Sequence, residues 1–469
     1  MIRPRFLRSS ERRVRRPMPR ALMLVLAGIA ALLGLAVGLL LVASAHAETL
    51  LLTGATIHPV TSPPIENGYV LIEDGVIHAV GQVGDGRAPA PQGTREIALA
   101  GKHIYPGFVS ASTVLGLVEI SSVEGSNDWQ ETGSTNPNIR AEVQVNPESE
   151  LFPVTRLNGV TSALVVPRGG AISGTSALMH LDGWTTADMT IRAPVGLHVQ
   201  WPNMTPLRGA FFEARSEEEQ NKARDEALEQ IKKNFDDARA YWTARAAEGK
   251  TGIPRHDRDV KWDAMGKALR GEIPVYVHAN ALNQIRAALR FADDQGLKKI
   301  VLVGGGDAWR ITDELKRRDI PVIVGGTLNL PRHNDDPYDE PFSLAAKLNA
   351  AGVRWCMSDG GSSFGAMNAR NLPYHAAMAA AYGLPREEAL KGITIYPAQI
   401  LGVADKVGSI EPNKSADLIV ADGDPLEIQT QIEQVYIAGK AIPMESRQTR
   451  LFHKYDSKPR GALARKRQG

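Results

Sequence analysis

The residues best suited to chemistry are a histidine and an aspartate, each closing an apolar run. His278 follows Val275-Tyr276-Val277, and Asp359 follows Trp355-Cys356-Met357-Ser358 and precedes Gly360-Gly361. An imidazole and a carboxylate at strand ends can ligate a metal or move a proton. Each also has a plainer explanation: a polar side chain satisfied by a hydrogen bond, or a carboxylate that caps a helix or loop. Catalytic zinc takes about three protein ligands plus a water, so more donors are required. His180, in Ser176-Ala177-Leu178-Met179-His180, and His198, in Val195-Gly196-Leu197-His198, stand on strand-like runs and are candidate substitute ligands. Glu119 and Glu124 are further carboxylates, whereas alternation along its strand turns Cys356 away from Asp359. His58, His78 and His103 fall among short strands and read as structural. His256, His333, His375 and His453 lie in loops, helix starts or tails, with no spacing that marks a site. No Gly-x-Ser-x-Gly signature offers a serine nucleophile.

The elements that must position these residues are strand-like runs at 104–110, 161–166, 176–181, 192–198, 274–278, 299–304, 320–325 and 353–358, separated by helical patterns. Such alternation predicts parallel βα units, and eight strands predict a closed barrel whose functional groups stand at the strand C-terminal ends. Residues 215–248 are rich in charge, with Ala227, Leu228, Ile231 and Phe235 on one helical face, and predict a long surface helix. Short strands and polar turns fill 49–105 and return near the end; Glu73-Asp74-Gly75 is a hairpin signal. Two β segments that cannot each bury a face are expected to share one sheet. Gly304-Gly305-Gly306 is either a simple turn or a place where backbone approaches a bound group, and Asp307 is expected to cap the helix that follows.

The chain has 469 residues, 43% of them hydrophobic and 23% charged, with a formal net charge of +2. That is globular composition without the strong field of a nucleic-acid-binding protein. Its single cysteine cannot form an internal disulfide. Arginines precede an apolar run from Ala21 to Ala43, and Ala45-His46-Ala47 then offers the small residues a signal peptidase reads. The expected outcome is export after cleavage at Ala47, or an uncleaved membrane anchor. Both place the body in the periplasm or on the outer face of the inner membrane.

Several phrases together resemble the amidohydrolase superfamily, in its imidazolonepropionase-like and dihydroorotase-like part. They are NGYVLIEDGVIHAVG (67–81), GKHIYPGF (101–108), LNGVTSALVVP (157–167), IPVYVHANALNQIRAAL (273–289), GITIYPAQILGVADKVGSIEPNKSADLIVADGDPL (392–426) and VYIAGK (435–440). The resemblance spans residues 49 to 440. It implies an α/β chain with a (β/α)8 TIM-like barrel and a small β-sandwich made from both ends. The expected division is 1–47 signal or anchor, 48–103 first part of the sandwich, 104–403 barrel, 404–445 second part, and 446–469 a basic, solvated tail.

The resemblance also implies a divalent metal, zinc first, holding a hydroxide that attacks an amide or lactam carbon. Asp359 takes the eighth-strand position, as general base and metal contact, and His278 the fifth-strand ligand position. The first-strand His-x-His positions hold Ser112 and Val114, and glycine stands at the sixth-strand position. Serine is a poor ligand and valine is none. Two expectations therefore stand side by side. One is an exported hydrolase of non-peptide carbon–nitrogen bonds, with a small amide-type substrate. The other is a pseudoenzyme, without cofactor, that binds or scaffolds in the envelope as a homo-oligomer or beside an intact homologue.

Overall fold

The computed structural model describes residues 49–84, 90–207, 215–250, 252, 255 and 257–458. The expected leader at 1–47, His256 and the end of the basic tail lie outside the described residues. Among the described residues no helix is long and apolar enough to cross a membrane.

Both ends of the body meet in one eight-stranded sheet. The first end supplies β1 (Leu50–Ile57), β2 (Ile65–Glu73), β3 (Val76–Gln82), β4 (Arg95–Ala98) and β5 (His103–Pro106). From the far end β16 (Leu418–Ala421) pairs with β5, and β17 (Ile432–Ile437) and β18 (Lys440–Ile442) follow outward. Period-two patterning explains the join. Leu50 and Leu52, Val70 and Ile72, and Leu418 and Val420 project into one apolar cluster with Ile104 and Tyr436. The β2–β3 hairpin turns at Asp74 and Gly75, with φ of 53° and 78°, as a two-residue turn of the primed type requires. A Cβ at Gly75 would stand 2.4 Å from the carbonyl oxygen of Ala438, so the turns of the two chain ends touch there. Gly75→Ala is expected to cost about 2 kcal/mol, from left-handed strain plus this clash. Urea titration checks it, and a loss below about 0.5 kcal/mol would mean that the turns relax apart.

A second group of strands carries the interior of the chain. β6 (Phe108–Thr113) pairs in parallel with β7 (Val160–Val165). β11 (Leu197–Gln200), β12 (Val275–Ala279), β13 (Ile300–Gly304), β14 (Val322–Val324) and β15 (Trp355–Met357) also pair in parallel, each with the next. The two sets are joined by the extended run 172–180, which holds β8 (Ile172–Thr175) and β9 (Ala177–His180). β8 bonds to β11 and β9 to β7, both antiparallel. This corrects the expectation of uniformly parallel units. A parallel return needs a crossover of about a dozen residues or more, and only the short 166–171 turn separates β7 from the run. The expected run 192–198 likewise divides, into β10 (Thr190–Arg192) on β9 and the separate β11. At the other side Val109 N donates to Ile393 O and Met357 N to Gly392 O, so residues 392–393 link β6 to β15.

Strand alternation sorts the side chains onto two faces. Val109, Ala111, Leu164, Val166, Tyr276, Val301, Val303, Ile323 and Cys356 form one cluster. Their neighbours Ala163, Val165, Val277, Leu302, Val322 and Met357 pack outward against helices. Burial on both faces is what such parallel strands need. The outer layer includes α1 (Glu217–Ala247), α2 (Val260–Leu269), α3 (Leu282–Asp294) and α4 (Glu340–Ala351). Helix α1 starts at a Ser216–Glu219 capping box and buries Ile231, Asn234, Phe235 and Ala238. Phe235 meets Phe291 of α3 edge-on, at 5.2 Å between centroids. The tail expected from 446 begins instead as a helix, α5 (Arg447–Asp456), capped by Ser446 and with none of its residues buried.

Candidate active site

Asp359 stands two residues beyond β15, where the C-terminal ends of the parallel strands gather. Its Oδ2 accepts from Thr113 Oγ1 at 2.9 Å, which ties it to the end of β6. Its Oδ1 accepts from Gly361 N at 2.8 Å. Burial raises its pKa to about 6, against the lowering effect of those two bonds and of the nearby positive Arg168. A carboxyl that titrates near the working pH can both take and return a proton.

His278, in β12, is held on both ring nitrogens. Arg168 Nη1 donates to its Nδ1 at 2.9 Å, and its Nε2 lies 2.9 Å from His198 Nδ1. Strand register makes this pairing: His198 sits opposite Tyr276, two residues before His278, and stacks on that ring at 4.7 Å between centroids. An arginine has donors only, so His278 Nδ1 must accept and the proton sits on Nε2. That proton is given to His198 Nδ1, which leaves His198 protonated at Nε2, a buried atom with no partner among the described residues. Both imidazoles are neutral. Burial first, then the charge of Arg168, pushes each well below the ordinary histidine value.

The metal that the sequence resemblance implies does not fit this donor set. Each accepting lone pair of His278 and His198 already receives a hydrogen bond. Two imidazole nitrogens on one tetrahedral zinc stand about 3.3 Å apart for Zn–N of about 2.0 Å, whereas these are 2.9 Å apart along a hydrogen bond. Val114 is fully buried in apolar surroundings. Ser112 is buried, and its Oγ has no partner among the described residues. A Cβ built at Gly361 would come within 2.3 Å of Arg168 Nη2 and 3.0 Å of Ser112 Oγ, which puts the guanidinium beside the first-strand position.

The Gly304-Gly305-Gly306 run is a turn. Gly304 and Gly305 have φ of 95° and 61°, and a Cβ at Gly304 would strike Asn280 Oδ1 at 2.4 Å. Among the described residues one group of three donors could close around an ion, Asp307, His333 and Asp336. Arg310 is already salt-bridged there, 2.6 Å from Asp336 and 3.7 Å from Asp307. Asp307 is expected from sequence to cap the helix after it, but its side chain makes no capping bond there. Its Oδ2 accepts from Leu282 N, at the start of α3.

A cavity of about 740 Å³ opens on Asp359. Asn280, Val324, Arg332, Glu340 and Gly360 line it, and loop 327–340 adds Leu328 and Leu330, both exposed at the rim. Glu340 is a second carboxyl in its wall. Burial raises its pKa, partly countered by Lys347, and its buried Oε1 has no partner among the described residues. His375 lies behind the wall, where Nδ1 accepts from Thr327 N at 3.1 Å, and burial lowers its pKa to about 4.

The structure thus brings Asp359, His278 and His198 to one centre and leaves His180 outside it. His180 ends the antiparallel run and faces the opposite end of the strands, opposite Ser162 near the start of β7. Its Nε2 bonds Asp417 Oδ2 at 2.9 Å, and Gly107 N, before β6, donates to Asp417 O. The Glu119 side chain accepts from Asn146 Nδ2 at 3.4 Å and Glu124 is exposed, so neither joins the centre. Cys356 points into the inner apolar cluster, and burial raises its thiol pKa. The residue that sequence reasoning missed is Arg168. Its only signal was a charge placed directly after the second strand, in Val166-Pro167-Arg168-Gly169-Gly170.

A sequence model of the amidohydrolase family matches residues 314–442. The amidohydrolase tasK of Hapsidospora irregularis is 24% identical over 412 residues, 80% of this chain but 40% of that protein, so the chain spans well under half of tasK. An imidazolonepropionase of Porphyromonas gingivalis is 25% identical over 402 residues, covering 78% of this chain and 84% of the relative. Among solved structures, an amidohydrolase from Thermotoga maritima superposes with a TM-score of 0.72 at 26% identity, covering 84% of this chain and 99% of the other.

Proposed function

We propose, on the premise that the chain belongs to the amidohydrolase superfamily, that it is a hydrolase acting on carbon–nitrogen bonds other than peptide bonds, in cyclic or linear amides. The carrying observation is Asp359, a carboxyl raised to about pKa 6 on the wall of a 740 Å³ cavity. In this reading its carboxylate takes a proton from water as the water oxygen bonds to the amide carbon. The carbon–nitrogen bond then breaks, and the proton passes to the leaving nitrogen. Thr113 and Gly361 hold the carboxylate in place through the step. We read the strands from β6 to β15, closed through residues 392–393, as the (β/α)8 barrel of this family, and the two-ended sheet as its composite β-sandwich. The leader supports export to the periplasm or the outer face of the inner membrane. No step runs through a metal, because the donor set does not suit one.

A second reading is a non-catalytic binding or scaffold protein of the envelope. It is favoured by one observation, the loss of the first-strand ligands at Ser112 and Val114. Incubating the full-length protein with lactams, hydantoins and N-acyl amino acids, and assaying amine or carboxylate release, separates the two. Saturable turnover of at least one class is expected. A folded protein that turns over none would sink the hydrolase reading in favour of the binding one.

A further inference from the structure

The guanidinium of Arg168 lies among the groups that a metal would have needed. It donates from Nη1 to His278 Nδ1 at 2.9 Å and from Nη2 to Gly360 O at 3.1 Å, next to Asp359. Its own backbone is fixed, since Arg168 N donates to Trp129 O at 2.8 Å. Glycine at 361 is what makes room, because any Cβ there would run into the guanidinium. The same spot adjoins Ser112 Oγ, so the arginine reaches from the second strand to the first-strand position, the fifth-strand histidine and the eighth-strand loop together.

We infer that Arg168 is the resident cation of this centre, standing in the place of the metal and making the site metal-independent. Four features fit this and are unlike a metal centre emptied of its ion. An arginine presents hydrogens where an ion presents empty orbitals. Each histidine of the centre is therefore held with its lone pair pointing to a donor, Arg168 for His278 and His278 for His198. The charge persists at neutral pH, since burial lowers the guanidinium only to about 10, partly offset by the charge of Asp359. The first-strand histidines are also dispensable here, because the cation is covalently part of the chain, whereas a bound ion needs about three protein donors to stay. Ser112 and Val114 are the residues that result. The inference does not depend on turnover, so it can fail while the hydrolase reading stands, and the reverse.

The test is metal content by elemental mass spectrometry, together with thermal unfolding, on full-length protein made in medium supplemented with zinc, manganese and iron. Wild type is expected to carry less than about a tenth of an ion per chain and to unfold at the same temperature with and without chelator. An ion held near one per chain and lost in His278→Ala would overturn the inference. The double variant Ser112→His, Val114→His restores the first-strand donors. It is expected to stay metal-free while Arg168 remains, and to take up about one zinc per chain when Arg168→Ala is added. Zinc bound by the double variant with Arg168 present would show that the guanidinium does not occupy the ion's place. Should these variants not fold, the wild-type measurement still decides.

Discussion

Asparagine at position 359 is expected to make the protein more stable at pH 8 while removing most of its turnover. The wild-type carboxyl is raised from 3.8 to about 6 in the fold. A folded-state pKa above the unfolded one contributes stability that is complete below about pH 3.8 and is lost as pH rises through 6. The ionised form at pH 8 therefore weighs against the fold by about 3 kcal/mol at most. Asparagine is neutral at every pH but keeps only one acceptor oxygen, so Thr113 retains its partner while Gly361 N loses its own. Arg168 then loses its nearest carboxylate, which trims the gain to about 1–2 kcal/mol. Turnover should fall about 10³-fold, the usual scale for removing a general base, and the wild-type rate should climb with pH to a plateau above about 6. Denaturant curves at pH 4 and pH 8, with a pH–rate profile, check all of this. Equal stability at the two pH values would show that Asp359 is not a strained carboxyl, and an unchanged rate would remove it from the reaction.

The second large effect concerns the opposite end of the strands. His180→Ala is expected to cost about 3–4 kcal/mol near pH 6, because it strands the buried carboxylate of Asp417. Burial pulls the His180 pKa down, but the charge and hydrogen bond of Asp417 more than offset it, and the net shift is upward. Asp417 is pushed up by burial, yet His180, Ala438 N and Ser415 Oγ together hold it below its ordinary value. The signs set a window. The His180 contribution is complete below pH 6.5 and lost as pH rises through its raised value. The Asp417 contribution is present above pH 3.8 and lost as pH falls through its depressed value. The penalty of the variant should therefore be largest between about pH 4 and neutrality and should shrink clearly by pH 9. Urea titrations at pH 6 and pH 9 test it; equal penalties at both would mean that the pair is a neutral hydrogen bond.

What could be read from the sequence follows the range of the physics involved. Period-two apolar runs are local, and they located Val160–Val165, Val275–Ala279 and Ile300–Gly304 to within a residue or two. The reversal of 172–180 was not legible, because the turn after Val165 has the composition of an ordinary βα loop and only its partners, β7 and β11, fix its direction. That reversal also moved His180 away from the centre. His198 meets His278 because β11 and β12 are in a particular register, which spacing along the chain does not encode. Arg168 escaped notice because an arginine beside a turn ordinarily means solvent, and here the fold closes over it.

The two-ended sheet has a consequence for how the molecule comes into being. β16 is an inner strand, set between β5 and β17, and about 360 residues of chain separate it from β1. Until residues 418–421 arrive, β5 has a raw edge and the cluster around Ile104 lacks Leu418 and Val420. Closing so long a loop is slow, since its entropy must be met before any contact rewards it. The nascent chain thus stays short of its final shape until nearly all of it has been made. A product cut short before residue 418 would forfeit the seam that holds both ends together, and would offer the row of open amides and carbonyls along β5 to whatever strand it met first.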